Sequence, residues 1–199
     1  MSSRWQRTDA PRGNDYDARW RSLAEAGQNI HGEADLVEAL LADSGGTSVL
    51  DAGCGTGRVA IELAHRGFTV AGVDADDRML ETARAKAPDL SWVTADLADP
   101  DGIDDRVPAA VDLVLLAGNV MIFTDPGTEG RVLANLVARL KPGAALVAGF
   151  SLRPDQLSLD RYDELAAEAG LVPKHRWATW DRRPFDGGDY AVSVHRAGG

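Results

Sequence analysis

The sequence predicts an α/β fold: a doubly wound, seven-stranded, mostly parallel sheet with helices on both faces and a terminal antiparallel hairpin. Three observations predict it. Short apolar runs alternate with segments of helical spacing through the middle of the chain; the first three runs each lead into an aspartate, at Asp51, Asp74 and Asp96; and the last two runs flank a glycine-bearing loop where a helix would otherwise stand. At 199 residues there is room for one domain and one sizeable core.

Val49-Leu50-Asp51-Ala52-Gly53-Cys54-Gly55-Thr56-Gly57-Arg58 reads as a strand that ends in a carboxylate and turns on three glycines into a helix. Glycine tolerates positive φ and carries no Cβ, so this turn can lie against a ligand over a helix N-terminus, whose dipole favours a negative group such as a carboxylate. Thr69 to Asp74 is the next strand, followed by a helix from Asp76 to Ala87, and Ser91 to Ala95 is a third strand ahead of Asp96. Pro100 to Pro108 is a polar, Asp-rich connection. Val111 to Ala117 is apolar on both faces, as a buried parallel strand is. Glu129 to Leu140 carries Val132, Leu133, Leu136, Val137 and Leu140 on one helical stripe, which Lys141-Pro142-Gly143 stops before a strand from Ala144 to Phe150. A helix from Ser158 to Ala169, started by Ser158 or Asp160, ends at Gly170; Val172 to Trp180 and Asp189 to Arg196 then flank the loop Arg182 to Gly188 as a hairpin.

The carboxylates give these strand ends a chemistry. A carboxylate at Asp74 can accept both hydroxyls of a ribose, which points to a nucleoside ligand without choosing it. Asp96 is placed to accept from an adenine amino group, with Leu97 against the ring; the alternative is that Asp96 caps the following turn. A dinucleotide site of the pattern G-x-G-x-x-G needs glycine where Arg58 stands. The pattern here, D-x-G-x-G-x-G, resembles motif I of the class I S-adenosylmethionine (SAM) methyltransferases, Rossmann-like proteins. The resemblance is specific from Thr47 to Phe150, with Leu140-Lys141-Pro142-Gly143 adding to it, and is greatest to small stand-alone members resembling quinone-biosynthesis methyltransferases.

The resemblance implies a single methyltransferase domain over 1–199: an N-terminal helical cap over 1–46, a SAM-binding core over 47–150, and a helix and hairpin over 151–199 that complete the sheet. It implies a SAM-binding set of Asp51, Gly53, Cys54 and Gly55 at the methionine end, Asp74 on the ribose, Ala75 and Met79 beside the adenine, Asp96 and Leu97 completing that pocket, and Asn119, Tyr16 and Trp20 around the reacting end. Met79 equally suits a core position beside Leu80 and Ala83. The implied reaction is methyl transfer from SAM, leaving S-adenosylhomocysteine, to a small-molecule acceptor by in-line displacement. The alternatives are a protein methyltransferase and a non-catalytic SAM-binding subunit or regulator. His31 and Asn119 are the catalytic candidates, and Phe150, Ser151 and Arg153 are further candidates for the acceptor wall. The adenine- and glutamine-amide-methylating families often carry Asn or Asp, Pro-Pro, and Tyr or Phe where this chain reads Asn119-Val120-Met121-Ile122.

Composition narrows the partners. A formal charge of −10 disfavours a nucleic-acid partner. The N-terminal stretch Met1 to Asp17 lacks the apolar core of a secretory signal or membrane anchor. The only cysteine is Cys54, so no disulfide forms within the chain and a cytoplasmic location is expected. Cys54 suits a small packed side chain better than a nucleophile, no Cys/His cluster suggests a metal, and a monomer or homodimer is expected. With little chain between Ser151 and Leu157, the cover over the site is expected from the N-terminus, from the Arg182 to Gly188 loop, or from a partner chain.

Overall fold

The computed structural model describes residues 4–9, 11–42, 44–103 and 106–198, with Gln6 described by its backbone alone. Parts of the Met1 to Asp17 stretch (1–3 and 10) and of the Pro100 to Pro108 connection (104 and 105) therefore lie outside the described residues, as do 43 and 199. Seven strands, β1 (Ser48–Ala52), β2 (Thr69–Asp74), β3 (Ser91–Thr94), β4 (Val111–Leu116), β5 (Leu140–Ser151), β6 (Leu171–Trp177) and β7 (Tyr190–Ala197), form one sheet in the order β3-β2-β1-β4-β5-β7-β6. The first five run parallel, and β7 is antiparallel to both β5 and β6. Strand order reverses between β1 and β4, and in open α/β sheets ligands bind in the crevice at the carboxyl ends beside such a reversal.

Side-chain alternation divides the apolar strands between two cores. Val49, Leu113, Leu115, Ala145 and Val147 meet α2 (Gly32–Ala42) and α3 (Arg58–His65) through Leu36, Val37, Val59 and Leu63. Leu50, Val114, Leu116, Leu146 and Ala148 face the other side, against α6 (Glu129–Val137) and α7 (Leu159–Glu168) through Val132, Leu133, Leu136, Tyr162 and Leu165. Each such Leu or Val, fully buried, contributes about 1.5–3 kcal/mol relative to exposure. α4 (Asp77–Lys86) packs beside β2 and β3, and α1 (Gly13–Glu25) lies against α4. A four-residue α5 (Val120–Phe123) follows β4.

Most boundaries differ from the sequence expectation by one to three residues, with local causes. α6 ends at Val137, and β5 begins at Leu140 because Leu140 pairs with Val111 across an irregularity that absorbs Lys141 to Gly143. β6 ends at Trp177, three residues early, because Ala178 N–H donates to the Arg183 carbonyl and Trp177 bridges Pro184, which tightens the hairpin loop. Ser158, and not Asp160, caps α7, its hydroxyl accepting from Arg161 N–H. Asp76 caps α4 in the same way, accepting from Arg78 N–H. No described helix is long and apolar enough to cross a membrane.

Candidate active site

The glycine turn after β1 is built by backbone conformation. Gly53, Gly55 and Gly57 all have positive φ (80°, 55° and 78°), and a Cβ at Gly53 would run into the Val120 side chain while one at Gly57 would run into Trp92. The turn's N–H groups are used internally. Gly53 and Cys54 donate to the Val73 carbonyl (2.7 and 3.0 Å), Gly55 to Asp74 Oδ2 (2.8 Å) and Gly57 to the Cys54 carbonyl (2.9 Å). With these four donors occupied, the turn itself supplies close approach and shape, whereas a phosphate cradle needs its backbone N–H groups open.

Around this turn lies a cavity of about 1210 Å³ that brings together the three strand-end carboxylates, Asp51, Asp74 and Asp96. Single small-molecule sites occupy roughly 300–1,000 Å³, so this volume has room for a second ligand. Asp51 is buried, and burial, reinforced by Glu33 and Asp74 and opposed by Arg58, pushes its carboxyl up to about 7. Asp74 is also raised by burial and accepts N–H bonds from Gly55 and Asp76 (2.8 Å each), which leaves further lone pairs for a diol. Asp96 Oδ1 accepts from Ala98 N–H (2.9 Å): it does cap the turn, and it also lines the cavity. Cys54 lines the cavity with its thiol pushed well up by burial, the state of a packed side chain and not of a nucleophile.

The opposite wall comes from the N-terminus and the end of the chain. Tyr16 and Trp20 of α1 line the cavity together with Trp5, Glu33, Arg58, Phe123, Trp180 and Tyr190. Arg58 donates to Glu33 Oε1 and Oε2 (2.5 and 3.1 Å) and to the Ile30 carbonyl, and its guanidinium lies 3.8 Å from the Trp20 ring centroid. The N-terminal segment is latched over the site. Trp5 Nε1 and Arg12 Nε both donate to Asp76 Oδ2 (3.2 and 2.5 Å), Arg12 stacks on Trp5, and Arg7 pairs with Asp125 (2.7 Å). Thr56 Oγ1 of the glycine turn donates to Asp17 (2.5 Å).

A family model described as a methyltransferase domain matches residues 49–143. A crystal structure of a TehB-like SAM-dependent methyltransferase from Corynebacterium glutamicum superimposes with a TM-score of 0.80 at 33% identity, covering 92% of this chain and 96% of that one. The chain belongs to the class I SAM-dependent methyltransferases. Among curated relatives, the 2-phytyl-1,4-naphtoquinone methyltransferase of a Nostoc species is 40% identical over 138 residues (64% of this chain, 57% of that one). The magnesium-protoporphyrin O-methyltransferase of Rhodobacter capsulatus is 32% identical over 111 residues (53% and 46%). The chain thus spans about half the length of these two relatives.

Within this methyltransferase the cavity gathers Asp51, Gly53, Cys54, Gly55, Asp74, Ala75, Met79, Asp96, Leu97, Asn119, Tyr16 and Trp20, all expected from the sequence. Met79 is both cavity wall and core: it is 2% exposed, and its sulfur accepts from Gly13 N–H (3.3 Å). Asn119, in the left-handed region at φ 71°, lines the cavity and accepts at Oδ1 from Ser151 N–H (2.7 Å), which ties β4's end to β5's. Two expectations fail. His31 does not line the cavity; its Nδ1 faces Glu62 Oε2 at 3.6 Å across the α2–α3 packing. Phe150 is fully buried against Tyr162 in the α7 core, on the wrong side of β5 to serve as a wall, and Ser151 and Arg153 are not lining residues either. Trp5, Arg12, Asp76, Trp180 and Tyr190 were missed. Their one signal was the unusual placing of tryptophans in otherwise polar segments.

Proposed function

We propose that this chain transfers a methyl group from SAM to a small-molecule acceptor. One observation carries the reading: Asp51, Asp74 and Asp96, from three consecutive strand ends, line one cavity around a glycine turn whose Gly53, Cys54, Gly55 and Gly57 N–H groups are already occupied. That set of acceptors suits an ammonium, a ribose diol and an adenine amino group, all of which donate, and suits a pyrophosphate poorly. The cofactor, when bound, supplies a methyl group already made electrophilic by a sulfonium. Asp51 would hold the amino-acid end, Asp74 the ribose, and Asp96 with Leu97 and Met79 the adenine. Asn119 stands at the ends of β4 and β5, where its Nδ2 orients the reacting groups, and the aromatic wall excludes water. Alignment of this kind contributes roughly 7–11 kcal/mol in well-oriented systems, against about 10²–10⁴-fold for a general base, so positioning is the larger contribution here. The names of the two curated relatives, which give a porphyrin and a quinone, support a small-molecule acceptor.

Calorimetric titration with SAM, S-adenosylhomocysteine and NAD in parallel tests this. Micromolar binding of the first two without NAD is expected, followed by S-adenosylhomocysteine release with an acceptor. Binding of NAD alone would overturn the reading, and SAM binding without turnover on any acceptor would favour a regulatory subunit.

A further inference from the structure

We infer that the acceptor is a small amine, recognised by Trp180 and Tyr190 in a cavity whose lining is rich in carboxylates. This rests on the methyl-transfer reading and specifies its substrate class. Among the described residues that line the cavity, eight are carboxylates and three are arginines. Arg58, the least exposed of the three, has its fork occupied by Glu33 and the Ile30 carbonyl, while Arg19 and Arg131 line the cavity as exposed side chains. An anionic acceptor is best held by a forked donor sheltered from water, and the one such fork at the site is already used, which disfavours a carboxylate or phosphate.

The opposite wall suits a cation. Trp180 and Tyr190 meet where β5 ends: Trp180 Nε1 donates to Tyr190 Oη (3.1 Å), and both rest on Gly149, where a Cβ would strike the indole. Gly149 also accepts from the Asn119 backbone N–H (3.2 Å), so the aromatic pair adjoins the strand end that carries Asn119. Burial keeps the Tyr190 phenol protonated and neutral.

The chemistry agrees with the lining. The amine lone pair forms the new N–C bond, the S–C bond breaks with its electron pair returning to sulfur, and the resulting ammonium releases a proton to water. Positive charge moves from sulfur to nitrogen and is conserved through the transition state, where π faces and carboxylates stabilise it. Attack by a carboxylate would instead cancel the charge and lose that stabilisation.

Choline and its uncharged isostere 3,3-dimethyl-1-butanol are the probes, with 3,3-dimethylbutyrate as the anion. Each is titrated calorimetrically into the protein with and without S-adenosylhomocysteine. Choline is expected to bind about threefold to thirtyfold tighter than the alcohol, the range of a cation–π contact, and the anion weakest. Trp180→Leu should remove the choline preference and leave S-adenosylhomocysteine affinity unchanged. Equal binding of choline and alcohol, or tighter binding of the anion, overturns the amine assignment. Failure of S-adenosylhomocysteine to bind, with the choline preference intact, overturns the cofactor reading and leaves the cation site standing.

Discussion

Asp51 makes the sharpest prediction because its burial gives it a measurable titration. Its carboxyl rises from 3.8 to about 7 in the folded protein. That gap corresponds to on the order of 4 kcal/mol, at ~1.4 kcal/mol per unit. Between the unfolded and folded values, the folded state keeps a proton that the unfolded chain has released. Native protons then outnumber unfolded ones, and stability falls as pH rises through this window and levels off above about 7. Asp51→Asn, neutral and of the same shape, lacks that slope. In urea unfolding the variant should gain on the parent by about 3 kcal/mol between pH 5 and pH 8. The same substitution should weaken SAM binding, because a cationic ammonium beside Asp51 favours the ionised form. Below pH 7 the parent's affinity should accordingly rise with pH by up to about tenfold per unit, with a proton released on binding, while the variant's stays flat. Parallel stability profiles for the two proteins across this range would refute the reasoning.

Asp74→Ala should weaken SAM about 10–150-fold, the equivalent of a lost charged hydrogen bond, and calorimetry on a folded variant checks it; unchanged affinity would remove Asp74 from the ribose. Because Asp74 also accepts from Gly55 and Asp76 N–H, the variant should lose about 1–3 kcal/mol of stability, which urea midpoints read directly. Gly53→Ala combines a left-handed φ with a collision against Val120 and should cost about 2–4 kcal/mol in the same assay. Arg12→Ala leaves the buried Asp76 carboxylate with only the longer guanidinium contact to exposed Arg78 (3.9 Å). Limited proteolysis should then cut the N-terminal segment faster in the variant, and equal cutting rates would mean that the latch does not hold it.

The half of the cavity lined by Asp51, Asp74 and Asp96 was legible because each of these groups follows directly from a strand end. Once β1, β2 and β3 are parallel neighbours, Asp51, Asp74 and Asp96 have nowhere to go but the same edge of the sheet. The other half depends on contacts that no local pattern encodes. Trp5 reaches Asp76 across 71 positions and Tyr190 meets Gly149 from a different strand, so neither could be placed before the topology was known. Asn119 stood out as a residue, but its left-handed backbone and its bond from Ser151, 32 positions away, are properties of the folded chain. His31 was misplaced for the same reason: it immediately precedes α2 and meets Glu62 on α3, outside the cavity.

Asp76 lies two residues after Asp74, so the carboxylate that holds Trp5 and Arg12 belongs to the loop proposed to hold the ribose. Trp5 then packs edge-on against Phe123 at 5.1 Å, and Arg7 reaches Asp125, so one short segment spans from the β2 end to the region after β4. The Arg12–Asp76 pair is buried, with side chains 11% and 7% exposed, and breaking such a pair costs about 3–5 kcal/mol, unlike the exposed Arg7–Asp125 pair, which contributes at most about 1 kcal/mol. Arg7→Ala should therefore loosen the segment much less than Arg12→Ala does, and limited proteolysis of the two variants side by side reads the difference; equal cutting of the two would show that burial of the Arg12–Asp76 pair does not make it the stronger hold.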